Sequence, residues 1–283
     1  MGIQIIDGFR VIPSEKGLAL AIESDRIEEC MKYALDNEIS RVFMHSYDGY
    51  KLDNVNFLKA YDFITEISIT DDLIEISGVH YLTNLKYLSL SNGKQPVDLS
   101  KFKYLEEGSI DWNNKITGLD SLNQIKRLSI WKFKPKSKDF TVIAGCKALE
   151  YLHITESNIE SFKGIETLQS LNHFEGHYLS KLENLEGLES LSSHLKVVVF
   201  DYCRKLVNYE SVLAKLKKLE KLILGDCGPM ASIKFIQELK NLKFFSFVNT
   251  NVVDGNITPV LKLEYVGFDN KRHYTHKWED IKQ

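Results

Sequence analysis

"LTNLKYLSL", residues 82–90, sets leucine at 82, 85, 88 and 90. A spacing of three, three and two fits neither an amphipathic helix nor an alternating strand taken alone. The pattern recurs. Tyr61, Ile64, Ile67 and Ile69 match it, as do Phe102, Leu105, Gly108 and Ile110, then Leu122, Ile125, Leu128 and Ile130. Cys146, Leu149, Leu152 and Ile154 follow, then Leu168, Leu171, Phe174 and Gly176. Leu195, Val198 and Phe200 fit after one inserted residue. Three further sets end at Leu224, Phe247 and Phe268. From Ile69 to Phe268 the steps between the last residues of successive sets are 21, 20, 20, 24, 22, 24, 24, 23 and 21 residues.

The change of period within each unit has a cause. The final alternation is a short strand that turns two apolar side chains inward and its neighbours outward. The preceding steps of three belong to the segment that returns the chain across the other side. No single unit can shelter its own apolar face, so the units must stack.

With that period and that motif, the chain resembles the leucine-rich-repeat family over about residues 40–268. The resemblance implies an α/β leucine-rich-repeat solenoid with about ten to eleven short parallel strands on its concave face, capped at both ends. The short returns, such as "NKITGLDSL" (114–122), "SNIESFKGIETL" (157–168) and "LENLEGLESL" (182–191), are similar to those of the bacterial, internalin-like branch. "YESVLAKLKKL" reads as a helical return. The family's usual turn Asn, three residues after the last strand leucine, is replaced here by Asp72, Gly93, Asn113, Phe133, Ser157, Leu179, Cys203, Cys227 and Thr250. Ser, Thr and Cys can stand in for Asn, and less regular turns are expected.

The ends differ. Residues 1–40 read as an N-terminal cap: a hairpin around Asp7-Gly8, then a helix over 24–38 with Ile27, Met31, Ala34 and Leu35 on one face behind Ser24 or Asp25 as N-cap. Residues 41–268 hold the repeats, opening with an atypical strand at "ISRVFMH" with Val42 and Met44 inward. Residues 269–283 suit a C-terminal cover. Together these make a single domain.

Of 283 residues, 36 are basic and 39 acidic, a formal charge of −3, with the signs interspersed. That balance argues against nucleic acid and membrane surfaces as partners. The N-terminus lacks a secretion-signal pattern and no run suits a membrane helix, so a cytoplasmic protein is expected. Four cysteines do not make a disulfide scaffold. Cys203 and Cys227 share a turn position on neighbouring coils and could pair, though reduced thiols are favoured.

Residues beside the strand leucines are free of the packing requirement. Among them Asp111, Trp112, Trp131, Tyr151, His153, His173, Glu175, His177, Tyr178, Asp201 and Tyr202 gather aromatic, imidazole and acid groups. Such a mixture is typical of an interface hot spot. The plainer reading is that the rings pack on neighbouring strands and cover the sheet. We expect a protein-binding scaffold without catalytic activity or cofactor, monomeric when free, in concrete form an inhibitor or immunity factor of a toxin or enzyme. The acidic groups favour a partner with some basic character. The competing reading is a metal or small-ligand site, even a metal-dependent hydrolase, at His153, His173, Glu175 and His177. Against it, same-face residues on a flat strand point in parallel rather than converging, so no metal is expected there.

Overall fold

A computed structural model of the chain describes residues 2–70, 73–91 and 93–281. Asp72, one of the turn positions named above, lies outside them, as do the last two residues of the C-terminal segment. Two compact units emerge, Met1–Ser129 and Ile130–Gln283, and the division falls inside the strand Arg127–Trp131.

The first unit begins with a meander. Strands Gln4–Ile6 and Phe9–Ser14 are antiparallel, joined by Asp7 and Gly8, both at positive φ (51° and 83°). That is the geometry a two-residue hairpin of type I′ needs. Strand Gly17–Ala21 returns antiparallel to the second, and strand Arg41–Met44 then lies parallel to it. From there the repeat takes over, with Glu66–Ile69, Tyr87–Leu90 and Glu107–Asp111 added in parallel. Val42 and Met44 are buried, as the atypical first strand requires.

The connecting helix is Ile27–Asp36, shorter than expected and capped differently. Its N-cap is Arg26, not Ser24 or Asp25. Ser24 is engaged elsewhere: its hydroxyl accepts the backbone N–H groups of Lys51 and Leu52 at 2.7 and 3.2 Å. The buried stripe is Cys30, Met31 and Ala34, whereas Leu35 is 61% exposed. The helix is rotated by a fraction of a turn from the expected face.

In the second unit, strands Tyr151–Thr155, His173–His177, Val197–Asp201, Lys221–Gly225, Phe244–Ser246 and Tyr265–Gly267 pair in parallel, in chain order. Register is regular, with Leu152 opposite Phe174, Phe174 opposite Val198 and Val198 opposite Leu222. These side chains are fully buried, and so are Leu88 and Leu128 in the first unit. Each buried aliphatic side chain contributes about 1.5–3 kcal/mol. Behind the strands a phenylalanine column fills the interior. Phe140 stacks on Phe162 at 5.3 Å, and Phe162 meets Phe174 edge-on at 5.6 Å. Most returns contain a single 3₁₀ turn, and the helical return is one α turn, Glu210–Leu213.

Two recurrent turn devices hold the coils. At 132, 156, 178, 202 and 226 a non-glycine residue sits in the left-handed region, φ 47–56°. Four send their backbone N–H to the last carbonyl of the next strand, Lys132 to Thr155, Glu156 to His177, Tyr178 to Asp201 and Tyr202 to Gly225, and Asp226 reaches Val248, two residues past its strand. One residue later stands the position that carries Asn in the family. Ser157, Cys203, Cys227 and Thr250 each donate from their side chains to a carbonyl of the preceding coil, as Asn113 does in the first unit. Phe133 and Leu179 have no such donor and turn inward instead, fully buried.

Candidate functional site

The outward columns in the second unit run as the repeat predicts. His153 is opposite Glu175, Glu175 opposite Val199, and Thr155, His177 and Asp201 form the next row. Strand His173–His177 turns Phe174 and Gly176 inward, leaving His173, Glu175 and His177 on the outer face.

The rings on this face lean on one another. Trp131 meets His153 edge-on at 4.9 Å between ring centroids, and His153 meets His177 edge-on at 5.0 Å. Tyr151 meets His173 edge-on at 4.7 Å. At the strand ends Tyr178 and Tyr202 stack at 4.6 Å and 9° between planes. Both belong to the left-handed turn ladder, which gives them equivalent backbone positions. Arg204, which sequence reasoning passed over, places its guanidinium 5.3 Å from the Tyr202 ring centre and 3.5 Å from the Asp226 carboxylate. Its signal was a basic residue two places after an outward aromatic.

Glu175 is the electrostatic centre. His173 Nε2–H donates to its Oε1 at 2.6 Å, and His177 Nε2 lies 3.5 Å from its Oε2. On the other side of the ring, His177 Nδ1 stands 3.7 Å from Asp201 Oδ2. The hydrogen bonds from His173 and His177 hold the Glu175 carboxyl well below the usual carboxylate range. The bond to Glu175, helped by the charge of Asp201, raises the His177 imidazole. Burial, and then the neighbouring His177, lower that of His153.

The expectation that these side chains point in parallel is corrected. Donor atoms of His153, Glu175 and His177 all lie within 4.8 Å of one another. Adjacent strands are separated by about 4.8 Å, and same-face residues along a strand by roughly 6.6 Å, so leaning imidazoles span both gaps. Asp111 and Trp112 lie in the first unit, both half-buried, and the cluster described here is the second unit's own. The four cysteines are all buried thiols, and Cys203 and Cys227 are not joined in a disulfide. Among the described residues no helix is long and apolar enough to cross a membrane.

No protein-family model matches the chain, and no curated protein sequence matches it. Solved structures do. Internalin InlF from Listeria monocytogenes is similar over 90% of this chain and 87% of its own, at 19% identity and a TM-score of 0.50. Internalin C2 from the same organism is similar over 74% and 82%, at 22% identity and a TM-score of 0.50. The leucine-rich-repeat domain of the type III effector XopL is similar over 81% and 85%, at 17% identity and a TM-score of 0.56. The chain therefore has the leucine-rich-repeat fold.

Proposed function

We propose that the strand face of the second unit is a protein-recognition surface and that the chain is a non-catalytic interaction scaffold. The observation that carries this reading is the mutual support of Trp131, His153 and His177, and of Tyr151 and His173. Large rings already held by their neighbours lose little rotamer freedom when a partner covers them, which is how aromatic anchors contribute to affinity. The core needs none of these rings. Tyr178, 49% exposed and stacked on Tyr202, extends the surface toward the turns. Glu175 and Asp201 supply negative charge and favour a partner with a basic group at its centre. Asp111 and Trp112 remain candidates for contact from the first unit.

The fold supports the same direction, since repeat proteins present extended surfaces to macromolecules. Mouse RP105, similar over 82% of this chain and 42% of its own with a TM-score of 0.57, is a structure of a complex with MD-1. A concrete form of the proposal is an inhibitor or immunity factor that covers the working surface of another protein, in the cytoplasm and monomeric when free. Four buried thiols that form no disulfide suit a reducing compartment.

Histidine footprinting on a captured complex tests the surface. His153, His173 and His177 should lose reactivity toward diethyl pyrocarbonate when the partner is bound, while His276 stays reactive. Undiminished reactivity at all three in a saturated complex would place recognition elsewhere.

A further inference from the structure

We propose that His153, Glu175 and His177 form a binding site for one divalent transition-metal ion of the zinc type, each imidazole giving a nitrogen and the carboxylate an oxygen. The first ground is convergence: one donor atom from each residue lies within 4.8 Å of the other two, on two adjacent strands in regular register. A tetrahedral ion with bonds of about 2.0–2.1 Å needs its ligand atoms roughly 3.4 Å apart. Closing that gap requires rotation of the three half-buried side chains.

The second ground is the shell behind the ligands. Metal-binding histidines ordinarily have a carboxylate or carbonyl at their other nitrogen, and ligating carboxylates are themselves hydrogen-bonded. The support of the carboxylate stands here as a hydrogen bond, and that of His177 as a carboxylate within ion-pair reach. Asp201 Oδ2 is 3.7 Å from His177 Nδ1, on the far side of the ring from Glu175. His173 donates to Glu175 Oε1 at 2.6 Å, leaving Oε2 turned toward His177. The carboxylates of Glu175 and Asp201 also offset the charge of the ion.

The donor set selects the ion. Two imidazoles with one carboxylate suit zinc, cobalt, nickel or copper, whereas magnesium and calcium require oxygen ligands. Three protein ligands leave a coordination position on the open face of the sheet, free for water or for a donor from a bound molecule. The inference does not rest on the protein-recognition reading, because metal uptake is measured on the isolated chain.

The test is a titration of the EDTA-treated, desalted full chain with CoCl₂, followed by ZnCl₂. The expected result is one equivalent of cobalt with the visible absorption of a four- or five-coordinate ion, displaced by one equivalent of zinc. Asp201→Asn should weaken uptake by about 10–100-fold, His153→Ala and His177→Ala by more, and Glu175→Gln should also weaken it. His276→Ala, on the C-terminal segment, should leave it unchanged. Circular dichroism of each variant confirms that it is folded. Failure of the folded native chain to take up a stoichiometric ion would overturn the assignment. Uptake that His153→Ala and His177→Ala leave intact would do the same, since the ion would then sit elsewhere. Either failure leaves the footprinting result untouched.

Discussion

Leu179 Cδ1 lies 2.7 Å from the point where a β-carbon on Gly176 would stand. The two residues compensate for each other. Leu179 occupies a turn position that carries a side-chain donor at Ser157, Cys203, Cys227 and Thr250, and it turns inward, fully buried. Gly176 occupies a strand position that elsewhere carries a branched or aromatic side chain, and its missing side chain makes the room. Phe174 and Phe200 close the same space at 3.2 and 3.3 Å. Gly176→Val should therefore overpack the interior and lower stability by about 1–3 kcal/mol, read as a lower urea midpoint at unchanged slope. Paired with Leu179→Ala, the same substitution should cost less than the sum of the two single changes. Additive effects would show that the two positions do not share that space.

Gly164 makes a sharper case because backbone faces it. Its φ is +93°, and a β-carbon would stand 2.6 Å from the backbone nitrogen of Thr141 and 2.7 Å from the carbonyl carbon of Phe140. A main chain cannot rotate away as a leucine tip can. Gly164→Ala should destabilise more than Gly176→Ala, despite adding the same single carbon. Equal denaturation midpoints for the two alanine variants would contradict this.

Thr250 tests the turn ladder. Its hydroxyl donates to the Leu224 carbonyl at 2.5 Å and accepts the Cys227 N–H at 2.9 Å, all of it buried. Thr250→Val keeps the shape and strands two backbone groups, so a loss of about 1–3 kcal/mol is expected by urea denaturation. Thr250→Ser should restore most of it.

His80 predicts a pH dependence in the first unit. Its Nε2 accepts the Asp98 N–H at 3.0 Å, and its ring stacks on Phe102. Burial lowers its pKa, partly opposed by the charge of Asp98. The folded state thus prefers the neutral ring. The stability this provides is complete above the unfolded-state value of about 6.5 and is lost as pH falls from there through the folded value. His80→Gln, which retains an acceptor, should flatten the fall in melting temperature between about pH 7 and pH 5. An unchanged slope in that variant would assign the acid sensitivity to other groups.

The interior was legible because every coil must repeat two obligatory inward positions, whatever else it carries. Leu88, Leu152 and Leu222 announce themselves that way. The outer columns follow from alternation alone, which is why the sequence itself places His153, Glu175 and His177 on one face. Their convergence was not legible. It depends on side-chain torsions and on which ring leans on Trp131, quantities that a linear pattern does not carry. The left-handed turns at Lys132, Glu156 and Tyr178 left no trace because none of the three is glycine or asparagine; the next coil's carbonyl enforces the conformation. The Arg26 cap was missed for a related reason, since Ser24 looks like an N-cap until Lys51 and Leu52 claim its hydroxyl.

The measurement that most directly tests the proposed recognition surface is the affinity of a purified partner for the native chain against Trp131→Ala and Tyr151→Ala. Gln169→Ala, on an exposed return, serves as the control. Removing a ring that both contacts the partner and orders its neighbour should weaken the complex by about tenfold or more in each case, with the control unchanged. Affinity indifferent to both ring deletions would contradict the account and move the search to the return segments and the N-terminal meander.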